Sequence, residues 1–210
     1  MIYNKEPKFL GCYDIGVKEM FSYTYLPVKF PKYCDPKYEE RLKVFDPIIG
    51  SVCCDFIGEF GLDKYVNSYI YVTAKNLHQK NGNYFNRGGY HSDGFGTDDI
   101  NYIWSNNQPT VFNHTNFDLS SDDQLSLKEM EEQALSENDY TYLNNSLLRM
   151  DQFSIHKVSE EIYNGVRCFL KISFSKDKYD LVGNSHNYKL DYRWNMRPRS
   201  KSRNVPQIRP

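Results

Sequence analysis

The chain has 210 residues, with 26 basic and 27 acidic side chains and a formal net charge of -1, so no overall field draws it to nucleic acid or a membrane surface. That length suits one well-buried core, a single domain over residues 1–210, rather than two. Five cysteines without a CxxC pair (Cys12, Cys34, Cys53, Cys54, Cys168) read as reduced thiols of a cytoplasmic protein, and no stretch approaches the ~20 apolar residues of a membrane span.

Eighteen Tyr and 13 Phe favour strands over helices, so a mainly β core is expected. Residues 1 to about 65 are broken by Pro7, Pro27, Pro31, Pro36 and Pro47. This predicts outer strands and one modest helix over 36–44, with no long regular element. The segment 65–74 (YVNSYIYVTA) reads as a buried strand, and Asn81-Gly82 and Gly88-Gly89 mark turns. The segments 100–104 (INYIW) and 110–113 (TVFN) read as an antiparallel pair across a loop of turn formers. Residues 119–135 carry the best helical pattern, with Ser121 and Gln124 as a capping box and Leu127, Met130 and Ala134 on one stripe. It is expected as a helix inserted between strands.

A strand ending near His156 is followed by Asn164-Gly165, a hairpin signal, and by the strongly β segment 165–175 (GVRCFLKISFS). The hairpin is expected to bring Arg167 beside His156. Beyond Lys189, Arg193, Arg197, Arg199, Lys201, Arg203 and Arg209 face only Asp191. Residues from about 197 to 210 therefore read as a basic, flexible tail, or as one that helps hold an anionic partner or substrate.

The chemistry centres on 88–104 (GGYHSDGFGTDDINYIW). There His91 and Asp93 stand two apart, which on a strand puts both on one face. His156 follows 63 residues on and Arg167 a further 11. Two imidazoles and one carboxylate suit a facial triad on Fe(II) with open positions, whereas no cysteine near either histidine suggests a thiolate zinc site. Arg167 could grip a carboxylate bidentately. A 2-oxo acid that chelates the iron and gives its far carboxylate to Arg167 uses the whole set, and that acid is 2-oxoglutarate.

His91-Ser-Asp93, His156 and Arg167 resemble the motif of the Fe(II)/2-oxoglutarate-dependent dioxygenases over roughly residues 65–175. The nearest likeness is to the small single-domain oxygenases of bacteria and their viruses. The resemblance implies a double-stranded β-helix (jelly roll, cupin-like) over 65–175 with one inserted or flanking helix. It further implies Fe(II) held by His91, Asp93 and His156, 2-oxoglutarate as cosubstrate, and O2 consumed in hydroxylating a C–H bond with release of succinate and CO2. Family members often carry Ser or Thr two residues after the Arg, whereas this chain has Phe169. Another donor is then required, with Tyr102, Asn101 and Ser154 as candidates.

Arg87, Tyr84, Phe95 and Trp104 border the motif as candidate pocket walls, fitting a nucleobase, a peptide side chain or a small metabolite alike. Each residue also has an ordinary structural reading. His156 can be a core histidine, Arg167 can pair with Glu160 or Glu161, and Asp98 or Asp99 can replace Asp93, while His78, His114 and His186 read as surface residues. Two other functions fit the same pattern: a non-enzymatic jelly-roll binding module, and a cupin-type metalloenzyme that does not use 2-oxoglutarate.

Overall fold

The computed structural model describes residues 2–80, 86–161 and 163–199. In chain order it forms β1 (Ile2–Tyr3), β2 (Lys8–Cys12), β3 (Phe21–Lys29), α1 (Asp46–Phe60), α2 (Leu62–Asn67) and β4 (Tyr69–Gln79). Then come β5 (Ile100–Ser105), β6 (Val111–Asn113), β7 (Phe117–Asp118), α3 (Leu125–Gln133), β8 (Asp139–Thr141), β9 (Ser146–Met150), β10 (His156–Lys157) and β11 (Gly165–Ser175). The fold is mainly β with few helices, and no helix among the described residues is long and apolar enough to cross a membrane.

A six-stranded antiparallel sheet runs in the order β2-β9-β5-β11-β4-β3, and a smaller one in the order β10-β6-β8. His91 adds a bridge to the free side of β10. From β4 onward the chain therefore crosses repeatedly between the sheets: β4 in the large one, His91 at the small one, β5 large, β6 and β8 small, β9 large, β10 small, β11 large. The arrangement is compatible with a β-sandwich.

β11 explains the layering. Its residues alternate between two faces, and everything from Arg167 to Ser175 is buried. Cys168, Leu170, Ile172 and Phe174 share a core with Ile70, Val72 and Ala74 of β4, with Trp104 of β5, and with Ile48, Val52 and Phe56 of α1. Phe56 stacks on Phe174 at 3.9 Å. Each such side chain contributes about 1.5–3 kcal/mol on burial. On the opposite face Phe169 packs with Ile103, Leu148, Met150 and Phe112, which belongs to the small sheet. The remaining positions of that face are polar, and they make the site.

Several sequence expectations are corrected. The 15-residue helix α1 lies where proline spacing suggested no long element; Pro47 sits in its first turn, where the missing N–H costs nothing. A 3-10 turn at Glu40–Phe45 replaces the helix expected over 36–44. α3 is shorter than the 119–135 pattern, and Ser121 does not cap it; Asp122 Oδ1 instead accepts from the N–H of Gln124 and Leu125 in the turn that leads into the helix. β5 and β6 belong to different sheets and do not pair. Nor do β10 and β11 form a hairpin: β10 pairs with β6, and β11 with β4 and β5. Both differences have one cause, since these strands, adjacent in sequence, belong to different sheets. Of the tail expected over about 197–210, Arg197 is ion-paired with Asp180 and Arg199 donates to the Val182 carbonyl, and residues from 200 onward lie outside the described residues.

Lys29 is wholly buried at the end of β3, its ammonium donating to the carbonyls of Tyr65 and Ser68, each at 2.8 Å, and of Val66 at 3.2 Å. It thereby satisfies the C-terminal carbonyls of α2. Burial pushes its pKa down to about 8. Lys29→Met is expected to cost about 3 kcal/mol in chemical denaturation at pH 7, because buried carbonyls lose their donor. From pH 8 to the unfolded value near ~10.4 the unfolded chain holds more protons at this site, so the contribution of Lys29 makes stability rise with pH. The variant is expected to lose that rise.

Candidate metal centre

His91 and His156 lie directly opposite one another, the N–H of each donating to the other's carbonyl at 2.9 Å. Directly opposed residues of an antiparallel pair project to the same face, and the two imidazoles stand 4.5 Å apart between centroids. Asp93 follows where the chain leaves this pairing for a tight loop. Gly94 (φ +73°) permits the turn: a Cβ there would meet Asp99 Cβ at 2.9 Å. One donor atom from each of His91, Asp93 and His156 lies within 4.8 Å of the others, and His156 Nε2 is 3.7 Å from Asp93 Oδ2.

The tautomers are set locally. His91 Nδ1 lies 2.9 Å from the Gly89 carbonyl and His156 Nδ1 lies 3.0 Å from that of Ser154. A carbonyl only accepts, so each Nδ1 carries a proton, which in the neutral ring leaves the Nε2 lone pair for a ligand, the outer hydrogen bond typical of metal-bound histidine. Burial, then the neighbouring His156, pushes the pKa of His91 down to about 3, which keeps the ring neutral. Burial alone would push the Asp93 carboxyl up, but the Lys171 ammonium beside it outweighs that and holds it well below the usual carboxylate range. Two neutral imidazoles and a carboxylate fit a divalent ion such as Fe(II).

A cavity of about 360 Å³ opens between the sheets from the triad, walled by Ile103 and Phe169 and reaching Arg167 and Lys75. Arg167 is buried, its Nε donating to the carbonyls of Asn107 and Gln108 at 3.2 and 3.0 Å and its guanidinium lying 5.1 Å from the Phe169 ring. Burial pushes its pKa down to about 10, so it stays cationic at neutral pH. Lys75 faces Phe169 across the β4–β11 ladder, between Arg167 and Lys171. Burial, followed by those two charges, brings its pKa to about 8.

No protein-family model matches the chain, and no curated protein matches it. What the site can do must therefore be read from its own geometry.

The other sequence candidates are distributed as follows. Arg87 lines the cavity. Tyr84 lies outside the described residues. Tyr102 and Trp104 are corrected: both point to the helix side of the large sheet, where Tyr102 donates to Asp55 and Trp104 to the Tyr13 carbonyl. Strand parity forces this, because Ile103 is the β5 residue that faces the cavity. Ser154 acts through its carbonyl on His156. Asn101 and Phe95 line a second cleft of about 830 Å³, which also meets the triad at Asp93 and reaches Lys171 beside it. Asp99 is buried against the Tyr179 hydroxyl and Asp98 pairs with Lys176, so neither replaces Asp93. His78, His114 and His186 are exposed.

Lys75 and Lys171 escaped the sequence reading. Strand parity was the available signal, since residues 167, 169 and 171 share one face of β11. Lys171 is buried with Nζ 3.0 Å from Asp93 Oδ2. Asp93→Ala strips that ammonium of its carboxylate and is expected to cost about 3 kcal/mol in urea denaturation. The double variant Asp93→Ala/Lys171→Met should recover most of the loss.

Proposed function

We propose that this protein is an Fe(II)- and 2-oxoglutarate-dependent oxygenase that hydroxylates a C–H bond of its substrate. The observation that carries this reading is the convergence of His91, Asp93 and His156 in a cavity that Arg167, Lys75, Lys171, Arg87, Lys157 and Arg199 also line, which makes its wall strongly cationic. The crossing of the chain between a large and a small sheet, with the histidines on the small one and Arg167 at the start of the last strand, supports a double-stranded β-helix.

His91 Nε2, His156 Nε2 and an Asp93 oxygen would hold the iron. When bound, Fe(II) with 2-oxoglutarate and O2 supplies oxidative decarboxylation to succinate and CO2 coupled to C–H hydroxylation. The chain's own part is placement. Arg167 binds the far carboxylate of the cosubstrate, and Lys75, one position across the ladder, takes the place of the hydroxyl donor that Phe169 lacks. Phe169 and Ile103 keep water from the chain between the carboxylates. The second cleft, which reaches Asp93 from another side past Asn101 and Phe95, is the substrate's approach.

Anaerobic titration of the Fe(II)-loaded protein with 2-oxoglutarate is expected to develop the visible charge-transfer band of the chelate. Arg167→Ala should weaken that binding at least tenfold, the loss of one or two charge-assisted hydrogen bonds of ~1.5–3 kcal/mol each, and Lys75→Met should weaken it less. Absence of the band, together with no succinate under air, rules the oxygenase out.

A further inference from the structure

Lys171 is a large cation in an unusual place. It lies on the cavity face of β11, in the stretch that is buried throughout, its Nζ 3.0 Å from Asp93 Oδ2. That same oxygen is the one 3.7 Å from His156 Nε2, so it looks toward the triad and toward the ammonium at once. The other contacts of Lys171 are with Tyr25, whose hydroxyl is 3.4 Å from Nζ and whose ring centroid is 4.9 Å away. Tyr25 is held there by a bulge in β3 that puts its backbone in the left-handed region (φ 47°), a conformation costly for a tyrosine. The N–H of Tyr25 is anchored to Thr73 Oγ1 at 3.0 Å. The fold thus strains a residue to line the pocket of this ammonium.

We propose that Lys171 is a positioning residue that couples metal binding to anion binding: it shares the Asp93 oxygen with the metal, and so keeps a lone metal ion weakly held until a carboxylate enters beside it. The inference rests on the metal part of the proposed function and not on the identity of the cosubstrate. With neutral histidines, Asp93 and Lys171 sum to zero charge. A divalent ion alone therefore adds two uncompensated charges one bond beyond an oxygen that the ammonium already holds. An incoming carboxylate offsets that charge and offers Lys171 a second acceptor. Metal and anion then each raise the other's affinity by the same factor, as linkage requires. The benefit for an oxygen-activating site is that metal without cosubstrate is sparsely populated.

The test uses Mn(II), which is inert to air, with free ion followed by electron paramagnetic resonance on the full chain. Lys171→Met is expected to bind Mn(II) alone at least tenfold more tightly than the wild type, and 2-oxoglutarate should tighten its Mn(II) binding at least tenfold less than it does the wild type's. Lys171→Arg, which keeps the charge, should behave as the wild type. Equal or weaker Mn(II) binding by Lys171→Met overturns the inference, since a residue that merely orients Asp93 gives that result. If Lys171→Met does not fold, the wild type decides. Formate, a carboxylate with no chelating keto oxygen, must then raise its Mn(II) affinity at least threefold, and an unchanged affinity overturns the proposal. A wild type that binds Mn(II) but shows no Fe(II)/2-oxoglutarate band fails the cosubstrate reading while leaving this one standing.

Discussion

Two backbone hydrogen bonds between His91 and His156 govern the rest of the site. They fix register across the edge of the small sheet, and register decides which face every side chain takes. A slip of one residue would turn one imidazole away from the other and leave Asp93 with a single partner. The tight loop through Gly94 follows from the same constraint, since Asp93 must turn back toward the two rings within two residues of His91. The Nδ1 bonds to the carbonyls of Gly89 and Ser154 are equally local, each spanning two residues. The site is built from short-range geometry joined by one long-range pair.

Buried cations are the other theme, and the fold treats them in two ways. Lys29 is solvated by main-chain carbonyls at the end of α2, a structural solution that needs no counter-charge. Lys171 is instead paired with a carboxylate that is itself a candidate ligand. Removing charged groups from water is expensive, and a hydrophobic pair of similar volume is often no less stable. A stability role alone therefore explains Lys29 better than it explains the row of Arg167, Lys75 and Lys171 along β11 and β4. Electrostatic work at the cavity explains that row more directly.

The sequence revealed the ends of this constellation more readily than its middle. The spacing of His91, Asp93, His156 and Arg167 was visible because those residue types are rare on strands, and the β-rich composition set the broad class. The route by which they meet was not visible. The turn signal at Asn164-Gly165 suggested a hairpin, whereas β11 pairs along its whole length with β4, which lies some ninety residues earlier in the chain. Local turn chemistry carries no information on such a partner. Tyr102 and Trp104 were misplaced for a related reason: proximity in sequence to a motif says nothing about face, and only parity along β5 separates them from Ile103. Lys171 could have been found by the same parity rule applied to β11.

The cavity and the second cleft differ in how firmly they are built. Arg167, Lys75 and Lys171 stand on central strands tied by an eleven-position ladder, which leaves little freedom in the spacing between the cationic end and the triad. The second cleft is walled largely by the loop after Asp93 and by the segment around Tyr179, with Tyr25, Asn101 and Lys171 contributed by strands. A rigid spacing suits a ligand of fixed length that never varies, as a common cosubstrate is. Loop walls can change without disturbing the sheets. On the proposed oxygenase reading, the division of labour between a common small anion and a particular substrate would follow this division between strand and loop, and would place specificity on the side of Asp93 that faces away from Arg167.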